Sequence, residues 1–170
     1  MGKYKWIRYF AYTIELLVLF MVQETPGLIP VISGARPVLL IPIALSIALF
    51  ESEKASMAFG LFSGLLVDFG MGETLGFHAL LLAVVCYYIG LMAANLIRTN
   101  FFTAMMVVMA TTASLFLLQW VFFFLLSNYE DSIYVLAAHY LPRFCYTVAI
   151  MPIAYYFNRA LSIQIRAKEE

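Results

Sequence analysis

Charged residues are scarce in this chain: 12% of its 170 residues are Asp, Glu, Lys or Arg, and ten basic residues cancel ten acidic ones. That balance leaves no electrostatic footprint for a nucleic acid partner. Cysteine is nearly absent. Cys86 and Cys145 each stand alone in an apolar stretch, with no CxxC and no His or Cys at metal-ligand spacing, so both read as free thiols filling small core positions and no metal site is implied. HExxH does not occur, and GMG at Gly70 to Gly72 lacks the rest of a dinucleotide fingerprint and the strand before it. An intramembrane aspartyl protease needs two aspartates sharing a proton, whereas Asp68 is alone within the apolar spans. Ser63, His78 and His139 have the residue types of a hydrolase, but no spacing that sets a base beside a nucleophile. These absences argue against an enzyme and imply no cofactor.

What the chain does have is apolar length. It is 64% hydrophobic and 16% aromatic, with a mean hydropathy of +0.92, which marks an all-α integral membrane protein whose main partner is the lipid bilayer. A helix needs about 20 apolar residues to cross roughly 30 Å of hydrocarbon. That ruler predicts a six-helix transmembrane bundle forming a single domain over residues 1–170, with spans at about 6–22, 37–50, 55–70, 75–97, 101–126 and 135–157. The second and third are short, and the second draws on GLIPVISGARP before it as a broken or re-entrant piece. Pro142 and Pro152 predict kinks in the last span. SIQIRAKEE reads as a solvated tail.

The start, Lys3, Lys5 and Arg8 ahead of an apolar run, resembles a signal peptide. The run is long and the small-x-small site at Ser33 to Ala35 lies far downstream, so an uncleaved first span is expected. Short cytoplasmic loops hold an excess of Lys and Arg. With the N-terminus inside, Lys3, Lys5, Arg8, Lys54, Arg98, Arg159, Arg166 and Lys168 fall on the cytoplasmic side, leaving Arg36 and Arg143 elsewhere. Glu24, Glu73, Glu130 and Asp131 then sit in outer connections, and both termini are cytoplasmic.

Two helix faces invite close packing. Gly60, Gly64 and Asp68 are spaced by four, so GxxxG and a carboxylate share one stripe of the third span. Ala79, Ala83, Cys86, Gly90 and Ala93 alternate steps of four and three, a small-residue seam on the fourth span expected to face the third across an outer turn at Met71 to Thr74. His78 reads as an interfacial polar residue. Charges inside a membrane default to being functional or paired. Glu15 lies midway along the first span with Arg8 and Tyr12 on its face, and Arg143 enters the last span from the same outer side as Asp68. Two arrangements suit these positions: Arg143 meets Asp68 or Glu15 inside the bundle, or Asp68 and Arg143 both snorkel to the outer interface.

Arg36-Pro37-Val38-Leu39-Leu40, then Glu51, then Gly60, Gly64-Leu65 and Asp68, then Leu75-Gly76 followed by Ala79-Leu80, resemble in order and spacing the rod shape-determining MreD family. The resemblance covers roughly residues 36–90; elsewhere it rests on length, hydropathy and the Pro142-Arg143 pair. Many members carry an acidic residue after the arginine-proline pair, where this chain has Val38. The resemblance implies a multi-pass protein of the bacterial cytoplasmic membrane, acting as a non-enzymatic scaffold of the cell-elongation complex. Its implied partners are MreC, the actin-like MreB and the peptidoglycan synthases. It also implies a fold similar to the S components of energy-coupling-factor transporters. The alternative function is that of such a substrate-binding component, with Trp120, Tyr129, Tyr134, His139 and Tyr140 as an outer pocket lining. For Asp68 and its glycines the choice lies between bracing the bundle and docking a partner helix.

Overall fold

Steps of three and four along each long helix put one stripe inside and leave the rest to apolar surroundings. The computed structural model describes residues 2–30, 36–72, 76–95, 101–125, 134 and 136–166. Among them run six α-helices and no strand: α1 Gly2–Glu24, α2 Leu40–Phe50, α3 Glu53–Met71, α4 Phe77–Asn95, α5 Phe101–Trp120 and α6 Leu141–Arg166. Single π-helical turns, Val121–Leu125 and Leu136–Tyr140, flank the connection between the last two. Inward stripes are Arg8, Tyr12 and Leu16 on α1; Ala104, Val108, Thr112, Leu115 and Gln119 on α5; and Thr147, Met151, Ala154, Asn158 and Ser162 on α6. The opposite faces carry exposed Phe10, Met21, Phe102, Leu117, Ile153 and Phe157. Water would penalise so much exposed apolar surface, whereas lipid tails solvate it. Three helices, Lys5–Glu24, Phe77–Ala94 and Phe101–Phe123, are long and apolar enough to cross a membrane.

α2 is different in kind. Every residue from Leu40 to Leu49 is buried, so this helix is apolar all round because protein, not lipid, surrounds it. Its 11 residues rise roughly 16 Å, about half the hydrocarbon thickness. The expected start at Pro37 is therefore corrected: residues 36–38 are non-helical and the helix begins at Leu40. Side chains from other helices supply the capping that this start needs. Thr147 Oγ1 on α6 accepts from the Val38 N–H at 3.2 Å, and Gln23 Oε1 on α1 accepts from the Leu39 N–H at 2.9 Å. A buried helix end in an apolar medium requires such partners. The re-entrant piece expected before it falls in part on residues 31–35, outside the described residues.

α3 and α4 pack against each other along their full length, and α2 lies against both. The ends of the chain's turns agree with alternating directions: Phe50, closing α2, and Phe101, opening α5, both pack on Tyr155 of α6 at centroid distances of 5.4 Å. The last helix is longer than expected, continuing to Arg166 rather than ending near residue 157. Pro142 sits in the first turn of this helix, straight after the π-helical turn Leu136–Tyr140, and Pro152 lies in the helix interior.

Candidate functional site

The connected end of the α3–α4 hairpin gathers most of the residues singled out in the sequence. α3 buries Ser56, Phe59, Gly60, Ser63, Gly64, Val67 and Asp68. Without side chains at residues 60 and 64, the α4 backbone comes into contact. A Cβ on Gly60 would stand 2.5 Å from the Leu82 carbonyl oxygen and 2.8 Å from Cys86 Cβ, and one on Gly64 would strike the Ala79 backbone and the His78 carbonyl. Gly90 fits the other end of the seam, where a Cβ would lie 2.8 Å from Ser56 Oγ. Ala79, Cys86 and Gly90 therefore meet α3 directly, while Ala83 and Ala93 are half-buried.

Two left-handed glycines turn the chain between these helices. Gly72, at φ +66°, ends α3 with its N–H donating to the Asp68 carbonyl at 3.0 Å, and Gly76, at φ +100°, accepts the first bond of α4 from Leu80. Thr74 and Glu73 of the expected turn lie outside the described residues. The first N–H groups of α4 have no partner within their own helix, and Asp68 supplies one from across the hairpin. Its Oδ2 accepts from the Gly76 N–H at 2.9 Å and the Ala79 N–H at 3.1 Å; Oδ1 accepts from the His78 N–H at 3.1 Å and lies 2.8 Å from His78 Nδ1. A carboxylate only accepts, so the His78 proton belongs on Nδ1. The negative charge also faces the positive end of the α4 dipole. Asp68 is a helix cap contributed by a neighbouring helix.

This geometry answers what a buried carboxylate does there. Asp68 is 1% exposed and each of its oxygens already receives two hydrogen bonds, leaving it no open position for a substrate proton. Asp68 and Glu15 take other partners, and among the described residues no hydrogen bond joins Arg143 to either. Arg143 is half-buried, sends an N–H to Met71 Sδ at 3.8 Å, and rests 5.8 Å from the centre of the Phe116 ring. Asp68 does not snorkel either. His78 is 6% exposed and part of the Asp68 cluster, where an interfacial position was expected. Its Nδ1 is the nearest donor to the carboxylate because it begins the helix that Asp68 caps.

Two further polar contacts hold α1 in place. Arg8 and Glu51 form a buried two-pronged pair, Nε to Oε1 at 2.5 Å and the Nη2 N–H to Oε2 at 3.1 Å, with side chains 4% and 2% exposed. Arg8, one of the charges expected on the cytoplasmic side, neutralises a carboxylate at the C-cap of α2, where the helix dipole alone would disfavour one. Deeper in, Asn158 Nδ2 donates toward Glu15 Oε1 at 3.3 Å and Ser46 Oγ at 2.6 Å, joining α1, α2 and α6. Sequence reasoning missed Asn158 and Ser46. A signal existed, since Thr147, Met151, Ala154, Asn158 and Ser162 repeat at helix spacing and so had to share the inward face. Among the described residues no group of His, Cys, Asp and Glu has the makings of a metal site.

A family profile described as rod shape-determining protein MreD matches residues 4–162. No curated protein and no solved structure matches the chain.

Proposed function

The chain belongs to the MreD family of rod shape-determining proteins, and from that premise we propose that it is a non-enzymatic scaffold of the cell-elongation complex, binding MreC and through it helping to organise peptidoglycan synthesis. MreB and the peptidoglycan synthases are then partners reached directly or through MreC. In this reading the protein sits in the bacterial cytoplasmic membrane with both termini cytoplasmic. The observation that carries the proposal is the saturation of Asp68: its four hydrogen bonds tie α3 to α4 and leave no acceptor free for chemistry. The Arg8–Glu51 pair is likewise consumed in holding α1 to the turn between α2 and α3. Charges spent on helix arrangement suit a protein that works by presenting fixed surfaces.

Bracing, not docking, is the role we assign to Gly60, Gly64 and Asp68, because their contacts lie inside this chain. A fold similar to transporter S components stays part of the proposal, while the transporter function is disfavoured: the described cavities are lined almost wholly by apolar side chains, which give a polar solute little to bind. The test is co-isolation of the full-length protein with MreC from native membranes, together with depletion in rod-shaped cells. The scaffold reading expects MreC in the isolate and rounded cells on depletion. Cells that keep their shape, with MreC absent from the isolate, would refute it.

A further inference from the structure

α1 packs less closely on its neighbours than α3 does on α4, and between α1, α2 and α6 a cavity of about 590 Å³ remains. Ala11, Ile14, Val18, Ile153 and Phe157 contribute to its apolar wall, and Glu15 is its one charged residue. Ile14, Val18, Ile153 and Phe157 are 45%, 54%, 72% and 53% exposed, so the cavity opens sideways, toward the membrane plane, as a groove. Asn158 reaches one oxygen of Glu15 at 3.3 Å; the other, Oε2, is buried and has no hydrogen-bond partner among the described residues. Glu15 stands at the middle of the apolar stretch Lys5–Glu24, roughly 15 Å of helical rise from either end. An unmatched acceptor at that depth costs free energy that a donor entering the groove would recover.

The geometry points to the α1–α6 groove as the seat of a partner's transmembrane helix, one that carries a single basic side chain at mid-span for Glu15 to receive. Charge complementarity selects this occupant. A lipid tail would fill the volume but has no donor, and a lipid headgroup stays at the interface, roughly 15 Å from the bilayer centre. A helix approaching along the membrane plane brings apolar side chains for the walls and one cation at the right level, the arrangement in which intramembrane charges are tolerated. This inference rests on the scaffold reading and gives it a docking face distinct from the α3–α4 hairpin.

The test places the full-length protein, labelled with a fluorescent donor, in phosphatidylcholine and phosphatidylglycerol vesicles with acceptor-labelled Leu/Ala peptide helices. One peptide has a central Lys, a second has Leu there, and a third carries the Lys two turns nearer one end. The central-Lys peptide should bind about tenfold tighter than the Leu peptide, and the displaced Lys should lose that gain. Glu15→Gln, which keeps an acceptor for Asn158, should bring the two affinities together, with its thermal melting in detergent recorded to confirm folding. Ile153→Trp, filling the groove from the lipid side, should weaken both peptides. Equal affinities of wild type for the Lys and Leu peptides, or a Lys preference that survives Glu15→Gln in a folded protein, would overturn the proposal. So would saturable uptake of dodecylamine with no binding of either peptide, which would make the groove a small-ligand site. Failure here would leave co-isolation with MreC untouched, since a partner can dock on another face, so the two readings fail separately.

Discussion

Replacing Asp68 by alanine removes an acceptor that serves three backbone N–H groups and one imidazole. The region around it is buried, with Val67, His78 and Ala79 all under 9% exposed, so water cannot readily substitute. A buried donor left without a partner costs roughly 1–3 kcal/mol, and loss of an ordinary helix cap costs about 0.5–2 kcal/mol. These terms overlap, because part of what Asp68 does is capping, and they do not add in full. A total on the order of 3–5 kcal/mol follows, near the cost of removing one partner from a buried pair. At about 2–4 °C per kcal/mol for a chain of this size, the melting temperature should fall on the order of 10 °C. The assay is thermal unfolding in detergent, followed by loss of the monodisperse peak on size exclusion, for wild type, Asp68→Asn and Asp68→Ala. Asparagine retains one acceptor oxygen and should fall between the other two. A melting temperature for Asp68→Ala within about 2 °C of wild type would show that the four bonds contribute nothing net, and the bracing account would be wrong.

Three other perturbations probe independent parts of the bundle. Gly64→Val should force α3 and α4 apart, since its Cβ alone would already strike the Ala79 backbone; a crosslink between cysteines engineered at the connected ends of the two helices should form more slowly, and an unchanged rate would contradict the close approach. Arg8→Ala should destabilise by about 3–5 kcal/mol because it removes the cation paired with the buried Glu51 carboxylate, whereas Arg8→Met with Glu51→Leu should recover most of the loss; equal damage from the single and double changes in thermal melting would deny the pair its role. Gln23→Ala with Thr147→Val should cost about 1–3 kcal/mol by uncapping α2, read as faster hydrogen exchange at the Val38 and Leu39 amides; wild-type exchange there would refute the capping.

Apolar length and helical spacing made the bundle legible. The seam from Ala79 to Gly90 faces α3 as its steps of three and four require, and small residues declare a close helix contact without needing to know the partner's sequence. The charged contacts were harder. Asp68 stands out in the sequence as an anomaly, but its partners are mostly backbone N–H groups, which every residue has and which a sequence therefore cannot advertise. Depth alone sets Arg143 level with Asp68, and depth says nothing about rotation around a helix axis; the guanidinium lies against Phe116 and Met71. α2 misled because a helix buried on all sides and a lipid-facing span are both continuously apolar, and only its length separates them. Arg8 and Glu51 stand 43 residues apart, and nothing local distinguishes a paired arginine from an inward loop charge.

The central claim is that the buried charge at Asp68 holds the scaffold's shape and takes no part in chemistry or partner contact. The direct measurement is rod shape plotted against the amount of folded, membrane-inserted protein, in rod-shaped cells depleted of the wild-type copy and supplied with graded levels of wild type or Asp68→Asn. The account predicts that both fall on one curve, the variant merely needing higher expression to reach the same folded amount. Round cells containing wild-type levels of folded Asp68→Asn protein would contradict it.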